Sequence, residues 1–466
     1  MKRINEKQFR KILESEDVEE HYEYQIVIGQ PTDIDISKIS PENRFFNCSF
    51  EGERINFIDN MGTWADDPSQ ILNFDNCEIL NPVYFKDCSL LELSFTFLNK
   101  NIENLHISAK NITFLVFKGN RNSHDYRLSI TINQTFILNT LEFSDINSTG
   151  QLLLHNSNIK ETNFRNSNFG RVELTENKFT SNFNFNGTIN DTYIKKNIFQ
   201  NSDFTRTDFG MDAVFEKNIF EGIALFTNLS NRIRTHLILE KCVFKDYSDF
   251  NRSTLYKLTI DNCKFLEVSS IQDVELHSMV LDRTIFENLV FFDDLNIIRI
   301  NKCNQRTIRN IKQQLLRADN KIDYDKFRAY ELTSYQETLK KKIKQGNTGD
   351  KVALKRDLFI LQINHFYSKN GTDWVRAIII TLLIGLFFYT LLFVSINHKQ
   401  EFMISQYNHY LTGLFRFFLI TDFYNPLEDE KVFLQNAFNW LPFLLGKIAI
   451  AVGIYEIIVS FRKFKK

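Results

Sequence analysis

Glycine and proline are scarce, with 16 Gly and 6 Pro among 466 residues. So little glycine argues against a Gly-rich nucleotide loop or a collagen-like repeat. The six cysteines, Cys48, Cys77, Cys88, Cys242, Cys263 and Cys303, form no CxxC pair. That removes the usual sign of a zinc site or a thioredoxin-type dithiol. Nine His are scattered without an HExxH motif, and the chain has no Walker sequence and no GxSxG elbow. These absences argue against an enzyme, and no cofactor or metal is expected. The start, MKRINEKQFR, has no apolar run behind it. A signal peptide is therefore not expected, and the front half is read as cytosolic and reducing.

What is abundant is phenylalanine, 46 residues of it, together with asparagine. That much Phe excludes a mostly disordered chain, which would need low hydrophobicity. Charge is divided unevenly. Residues 305–466 hold 24 Lys/Arg and 14 Asp/Glu, a net of +10. The totals of 56 and 57 then leave 32 and 43 for residues 1–304, a net of −11. An acidic front half joins a basic back half, so two physical regimes are expected.

The front half repeats itself. Leu258-Thr-Ile260-Asp-Asn-Cys263-Lys-Phe265 returns as Leu237-Ile-Leu239-Glu-Lys-Cys242-Val-Phe244 and as Met279-Val-Leu281-Asp-Arg-Thr284-Ile-Phe286. The closing residues Phe179, Phe199, Phe220, Phe244, Phe265 and Phe286 are 20, 21, 24, 21 and 21 apart. Finer copies lie five apart, as in Phe199/Phe204/Phe209. About 20 residues with a five-residue subperiod fit one turn of a four-sided coil. Alternation of period two turns alternate side chains to one side. The Phe residues are then core, sharing the interior with Ser167, Asn177, Ser202, Thr207, Cys242, Cys263 and Thr284 two positions before them. Parallel stacking at about 4.8 Å gives roughly a dozen coils, a rod of about 60 Å.

Ser202-Asp203-Phe204, Thr207-Asp208-Phe209 and Ser167-Asn168-Phe169 resemble the pentapeptide-repeat family. The resemblance implies a right-handed parallel β-helix with four sides. Residues 91–150 fit the motif poorly, and Phe largely replaces Leu. A less regular right-handed parallel β-helix is the alternative.

Beyond Cys303 the period changes to helical, with Ile308, Ile311, Leu315, Ala318 and Ile322 on one stripe. A second stretch, about Asp325 to Lys344, and a third, Lys351 to Tyr367, complete a helical connector whose stripes fit oligomerisation and packing against its own neighbours equally well. Trp374 to Ile396 is a 23-residue apolar run interrupted by Arg376, long enough to span about 30 Å of hydrocarbon. Asn439 to Phe461 is a second span, containing Lys447 and Glu456. Trp374, Arg376, Trp440 and Arg462 are expected as membrane anchors. Basic flanks put both termini in the cytosol and the loop 397–438 outside. Within that loop, Tyr410 to Ile420, with Phe415, Arg416, Phe417 and Phe418, is too short to span; interface is the default reading, and re-entry the alternative. Lys447 lies about three residues, roughly 4.5 Å, from the centre of its span. A charge there is a candidate functional site, with snorkelling of the side chain toward an interface as the other reading. Lys447 and Glu456 fall on opposite helix faces and cannot pair.

The back half also resembles poorly characterised bacterial membrane proteins that join such repeats to a helical connector and two terminal spans. The resemblance rests on Ala318-Asp-Asn-Lys-Ile-Asp323, Phe327-Arg-Ala-Tyr-Glu331, Ser368-Lys-Asn-Gly-Thr-Asp-Trp374, Phe423-Tyr-Asn-Pro426 and Tyr455-Glu-Ile-Ile-Val-Ser-Phe-Arg-Lys463. It implies architecture and no activity. The expected domains are an N-terminal cap (1–42), a β-helix (43–304), a connector (305–370) and a membrane region (371–466). The expected function is a cytosolic β-helix anchored at the bacterial inner membrane, acting as a protein-interaction scaffold or sensor. The alternative is an ion channel or pore-forming effector gated by the β-helix. Expected partners are membrane lipid, an unidentified protein and further copies of the chain; nucleic acid is not expected despite the acidic front half.

Overall fold

The computed structural model describes residues 1–15, 20–59, 69–98, 100–120, 126–230, 235–345, 351–396, 407–428 and 431–461. Arg462, expected as an anchor, lies outside the described residues. Two compact units divide the chain, Met1–Thr307 and Ile308–Lys466.

The first unit is a parallel β-solenoid of about 12 turns. Its register can be followed along one column of side chains. Ile34, Phe57, Phe85, Ile107, Ile132, Leu154, Leu174, Ile194, Phe215, Leu239, Ile260 and Leu281 stack each on the next. All are buried. Branched and aromatic side chains suit this pleated interior. A second column holds Phe179, Phe199, Phe220, Phe244, Phe265 and Phe286 in register. Their rings are stacked at 4.5 to 5.2 Å, tilted by no more than 25°. The first five are buried and Phe286 is half-buried.

Corners fall on residues with positive φ. Asn156, Glu176, Lys196, Lys217, Lys241, Asn262 and Arg283 form one such row, with φ from 44° to 59°. Each is followed by a small or amide residue turned inward. Asn197 Nδ2 donates to Leu174 O at 2.8 Å, and Asn218 Nδ2 donates to Ile194 O at 2.8 Å. Asn177 N–H donates to Asn197 Oδ1, and Asn197 N–H to Asn218 Oδ1, both at 2.9 Å. Cys242 and Cys263 continue the row, each thiol on a backbone carbonyl at 3.3 Å.

Two expectations change here. Residues 1–42 are not a separate cap. Strands Lys2–Asn5, Glu20–Tyr22, Tyr24–Ile28 and Thr32–Asp35 all join the solenoid sheet. Helix α1 (Glu6–Leu13) is the capping part, burying Phe9 and Leu13, with Phe9 about 6 Å from Phe45 and Phe50. Ile4, Ile26, Ile28 and Ile34 line these coils in place of Phe, which hid them from the pattern. Within 91–150, which fits the motif poorly, the described residues also supply strands to the sheet, and Phe95, Phe117 and Phe143 stack at 4.8–5.1 Å. Register shifts between Phe95 and Leu98 and between Ile112 and Phe114 break the count of five.

Helices follow: α2 (Gln305–Arg317), α3 (Lys321–Gln345), α4 (Lys351–Ser368), α5 (Trp374–Ile396), α6 (Tyr407–Phe418) and α7 (Ala437–Phe461). Ile308, Ile311 and Leu315 are buried, but Ile322 is 70% exposed. The helix stops at Arg317 and Asp319 turns to φ 56°, so the stripe does not continue. Glu331 of α3 accepts from Arg309 and Lys312 at 2.8 and 2.5 Å. Burial opposes ionisation of Glu331, yet these two cations outweigh it and hold its pKa below the usual value.

Candidate functional site

Helices α5 and α7 are long and apolar enough to cross a membrane, and only 28% and 39% of their most apolar stretches are buried. A soluble protein's core helix would be mostly buried. Their outward residues are large and apolar, as at Leu383, Phe387, Leu441, Ile448 and Ile458. Many of their inward residues are small or polar, Ala377, Thr381 and Gly385 on α5 and Gly446, Lys447, Gly453, Glu456 and Ser460 on α7, beside the larger Tyr389, Leu392, Phe443 and Ile450. That inversion suits helices whose solvent is lipid. Side-chain oxygens inside bond locally, Thr381 to Ala377 O and Ser460 to Glu456 O. The second span begins at Ala437, two residues before its expected start, because Asn436 Oδ1 accepts from Phe438 N–H at 3.0 Å.

Between the spans sits α6. Its end is fixed by close approach to Gly385 and Gly446 on the spans, and its middle by Gly413. Phe418 packs on Gly385, the middle residue of α5. Phe417 packs on Gly446, where a methyl group would come within 2.5 Å of its ring. Gly413 faces Pro426 O and the Tyr389 hydroxyl, which donates to Tyr410 O at 2.7 Å. Tyr389, Leu392, Phe417, Leu434, Phe443 and Ile450 form the buried apolar cluster around it.

Lys447 is 4% exposed and two residues from Ala449, the midpoint of α7. Its ammonium donates to Arg416 O at 3.2 Å and Leu419 O at 2.5 Å. It also lies 5.4 Å from the Phe417 ring centroid and 5.2 Å from that of Phe443. A cation on the last carbonyls of a helix complements the negative end of its dipole. Lys447 therefore holds the C-terminus of α6 at mid-height of the spans. Arg416 turns back, Nε to Asp422 at 3.1 Å and a terminal nitrogen to Glu428 O at 2.7 Å. Phe415 is 65% exposed.

Glu456, 2% exposed, accepts from the Ser368 hydroxyl at the end of α4. The same hydroxyl accepts from Gly371 N–H at 2.7 Å. Lys369, Asn370 and Gly371 all have positive φ, which makes the turn into α5. The two buried polar side chains Lys447 and Glu456 of α7 thus each secure a different neighbour, one α6 and the other α4. Trp374 lies 5.2 Å from Phe461. Arg376 donates to Phe366 O at 3.1 Å, and Asp373 caps α5 by accepting from Arg376 N–H at 3.0 Å. Trp440 Nε1 donates to Leu434 O at 2.8 Å. Ser368, Asp422 and the glycines were not singled out by sequence. The four-residue spacing of Ala377, Thr381 and Gly385 was the available signal for the helix contact.

On the solenoid, pairs between or within coils occupy much of the charged surface: Lys196–Glu176, Lys195–Glu216, Arg283–Asp261 and Arg306–Asp282, at 2.5 to 2.9 Å. Among the described residues no group of three or more His, Cys, Asp or Glu is placed to hold a metal ion. No protein family, no curated protein and no solved structure matches the chain.

Proposed function

We propose that the protein is a membrane-anchored β-solenoid whose long side faces serve as a protein-interaction scaffold or sensor at the bacterial inner membrane, with both termini cytosolic. The observation that carries this reading is the engagement of Lys447. Its ammonium is taken up by two carbonyls and two aromatic faces of its own protomer. Little is left for it to offer to a water-filled path. The outward residues Leu411, Phe415 and Leu419 beside α6 are apolar, which suits lipid contact. The membrane part then acts as an anchor, and the solenoid carries the extended surface that repeat proteins use for binding. The coil is read as a divergent pentapeptide repeat. Buried Phe199, Phe204, Phe209, Phe215 and Phe220, spaced five or six apart, support this.

A second reading is kept because α6 stops at mid-height of both spans. A short helix that enters halfway and turns back is an arrangement found in pores, with the solenoid then serving as gate. Flux from vesicles holding the full chain separates the two. Vesicles with confirmed insertion and no leak support the anchor; a steady ion leak overturns it. Protease added outside spheroplasts tests orientation. Loss of residues 1–300 would invert the proposed topology.

A further inference from the structure

We propose that α4 is itself embedded in the membrane, set obliquely in the leaflet where α5 begins, with its basic first turns on anionic lipid headgroups. This rests on reading α5 and α7 as membrane spans. The charges of α4 fall within its first seven residues, as Lys351, Lys355, Arg356 and Asp357. From Leu358 to Ser368 there is no Lys, Arg, Asp or Glu. Yet large apolar residues of this end are not packed away. Phe359, Ile360 and Phe366 are 63%, 56% and 51% exposed, with Gln362 and His365 exposed beside them, and Val352 in the first turn is 68% exposed. Val352, Phe359 and Phe366 are seven apart and share one stripe.

The end of α4 is tied to the spans at depth. The Tyr367 hydroxyl donates to Ala449 O at 3.0 Å, and Ala449 is the middle residue of α7. Ser368 donates to Glu456 and Phe366 O accepts from Arg376. A hydroxyl that reaches the middle of a span places the last turns of α4 beside hydrocarbon. An α-helix can enter there because its backbone groups are satisfied internally. Phe366, Tyr367 and Ser368 tie this end to spans whose own outward residues are large and apolar, so the occupant of the exposed stripe is lipid. Lys351, Lys355 and Arg356 then reach headgroup level, reinforced by Lys340, Lys341, Lys342 and Lys344 at the end of α3. Such basic clusters beside a span favour anionic lipid. A second copy on this stripe would bring the same three cations together with only Asp357 to offset them. The membrane region accordingly starts near Leu358 rather than at residue 371.

The test is nitroxide labelling of the full chain in vesicles of phosphatidylcholine, alone or in equal parts with phosphatidylglycerol. All six native cysteines are buried, so an introduced thiol is the reactive one. Labels go on Phe359→Cys and Phe366→Cys, with Leu383→Cys as span reference and Met211→Cys, exposed on the solenoid, as water reference. The expected result is oxygen-rich, nickel-chelate-poor collision at 359 and 366, matching 383. Spin-labelled phosphatidylglycerol should be preferred by the wild type, and Lys355→Glu with Arg356→Glu should lower that preference several-fold. Nickel access at 359 and 366 with 383 in lipid overturns this inference alone, whereas water at 383 overturns the anchor reading. Loss of both collisions with dipolar broadening would make a second copy the occupant. An unchanged lipid preference in the double variant would overturn the headgroup contact.

Discussion

At the rung formed by Asn177, Asn197 and Asn218, each amide serves two coils. Asn197 Nδ2 donates to Leu174 O below, and Asn197 Oδ1 accepts from Asn177 N–H. That these positions face inward was legible from alternation. That the amides replace ladder bonds at the corner was not, because the bond needs the neighbouring coil. Asn197→Ala leaves buried groups unpaired and should lower stability by about 1–3 kcal/mol. Asn197→Ser should recover part of the loss, since Ser157 holds an equivalent rung and accepts from Thr135 N–H. Chemical denaturation of the two variants measures the difference. His21 makes a second residue-scale case. It is fully buried, and its Nε2 lies 3.0 Å from Asn43 Oδ1, an acceptor, so Nε2 carries the proton. Nδ1 has no partner, and burial lowers the imidazole pKa below its ordinary 6.5. The unfolded chain takes up a proton near 6.5 while the folded one resists. Stability contributed by neutral His21 is therefore present above that pH and lost as pH falls, by at most about 1.4 kcal/mol per unit. Melting followed from about pH 7 to pH 5 should drop more for wild type than for His21→Gln.

Among elements, the strands closing on Phe179 to Phe286 were legible because period two and a steady spacing of 20 to 24 residues coincide. The corners were not. Glycine is scarce, and among the described residues of the solenoid 19 non-glycine residues have positive φ. Lys, Arg and Glu at these corners carry no turn signature in sequence; the cross-coil bond, such as Arg252 N–H to Gln272 O at 3.1 Å, holds them. The solenoid thus tolerates a conformation that costs an ordinary residue about 1–2 kcal/mol. Arg252, at φ 55°, offers a test. Arg252→Gly should change stability by less than about 1 kcal/mol, because relief of the Cβ clash offsets the entropy of glycine. Arg252→Val should lose about 1–2 kcal/mol or more, since a β-branched residue is poorly tolerated at positive φ. Equal melting of the two would remove the corner argument. Helix α6 gives the opposite lesson. Its existence and shortness were legible, but its depth was not, because depth is set by Gly385 and Gly446 on other helices and by the reach of Lys447.

At the scale of the whole chain, the two units answer to different solvents, and Lys447 is where that difference has a measurable consequence. A lysine near the centre of a span costs about 2.5–3.5 kcal/mol on insertion scales. Here that cost is set against the carbonyls of Arg416 and Leu419 at the C-terminus of α6, to which Lys447 adds a charged donor beside the backbone N–H groups of Leu419 and Asp422. Lys447→Leu should therefore insert α7 more readily and at the same time release α6. The expected outcome is a full-length variant that still fractionates with membranes, while a nitroxide on Phe418→Cys becomes more mobile than in the Lys447 background. If the protein is an anchor, vesicles of both forms stay tight and growth on overexpression is equal. If α6 lines a pore, wild-type vesicles leak and the variant does not, because the charge that positions α6 is gone. The mobility readout keeps the test decisive. A variant with α6 as immobile as in wild type would show that the Gly385 and Gly446 contacts suffice, and the stapling role of Lys447 would fall. Tight wild-type vesicles with a mobile α6 in the variant would leave Lys447 as a structural cation, its charge used to end a helix inside the bilayer.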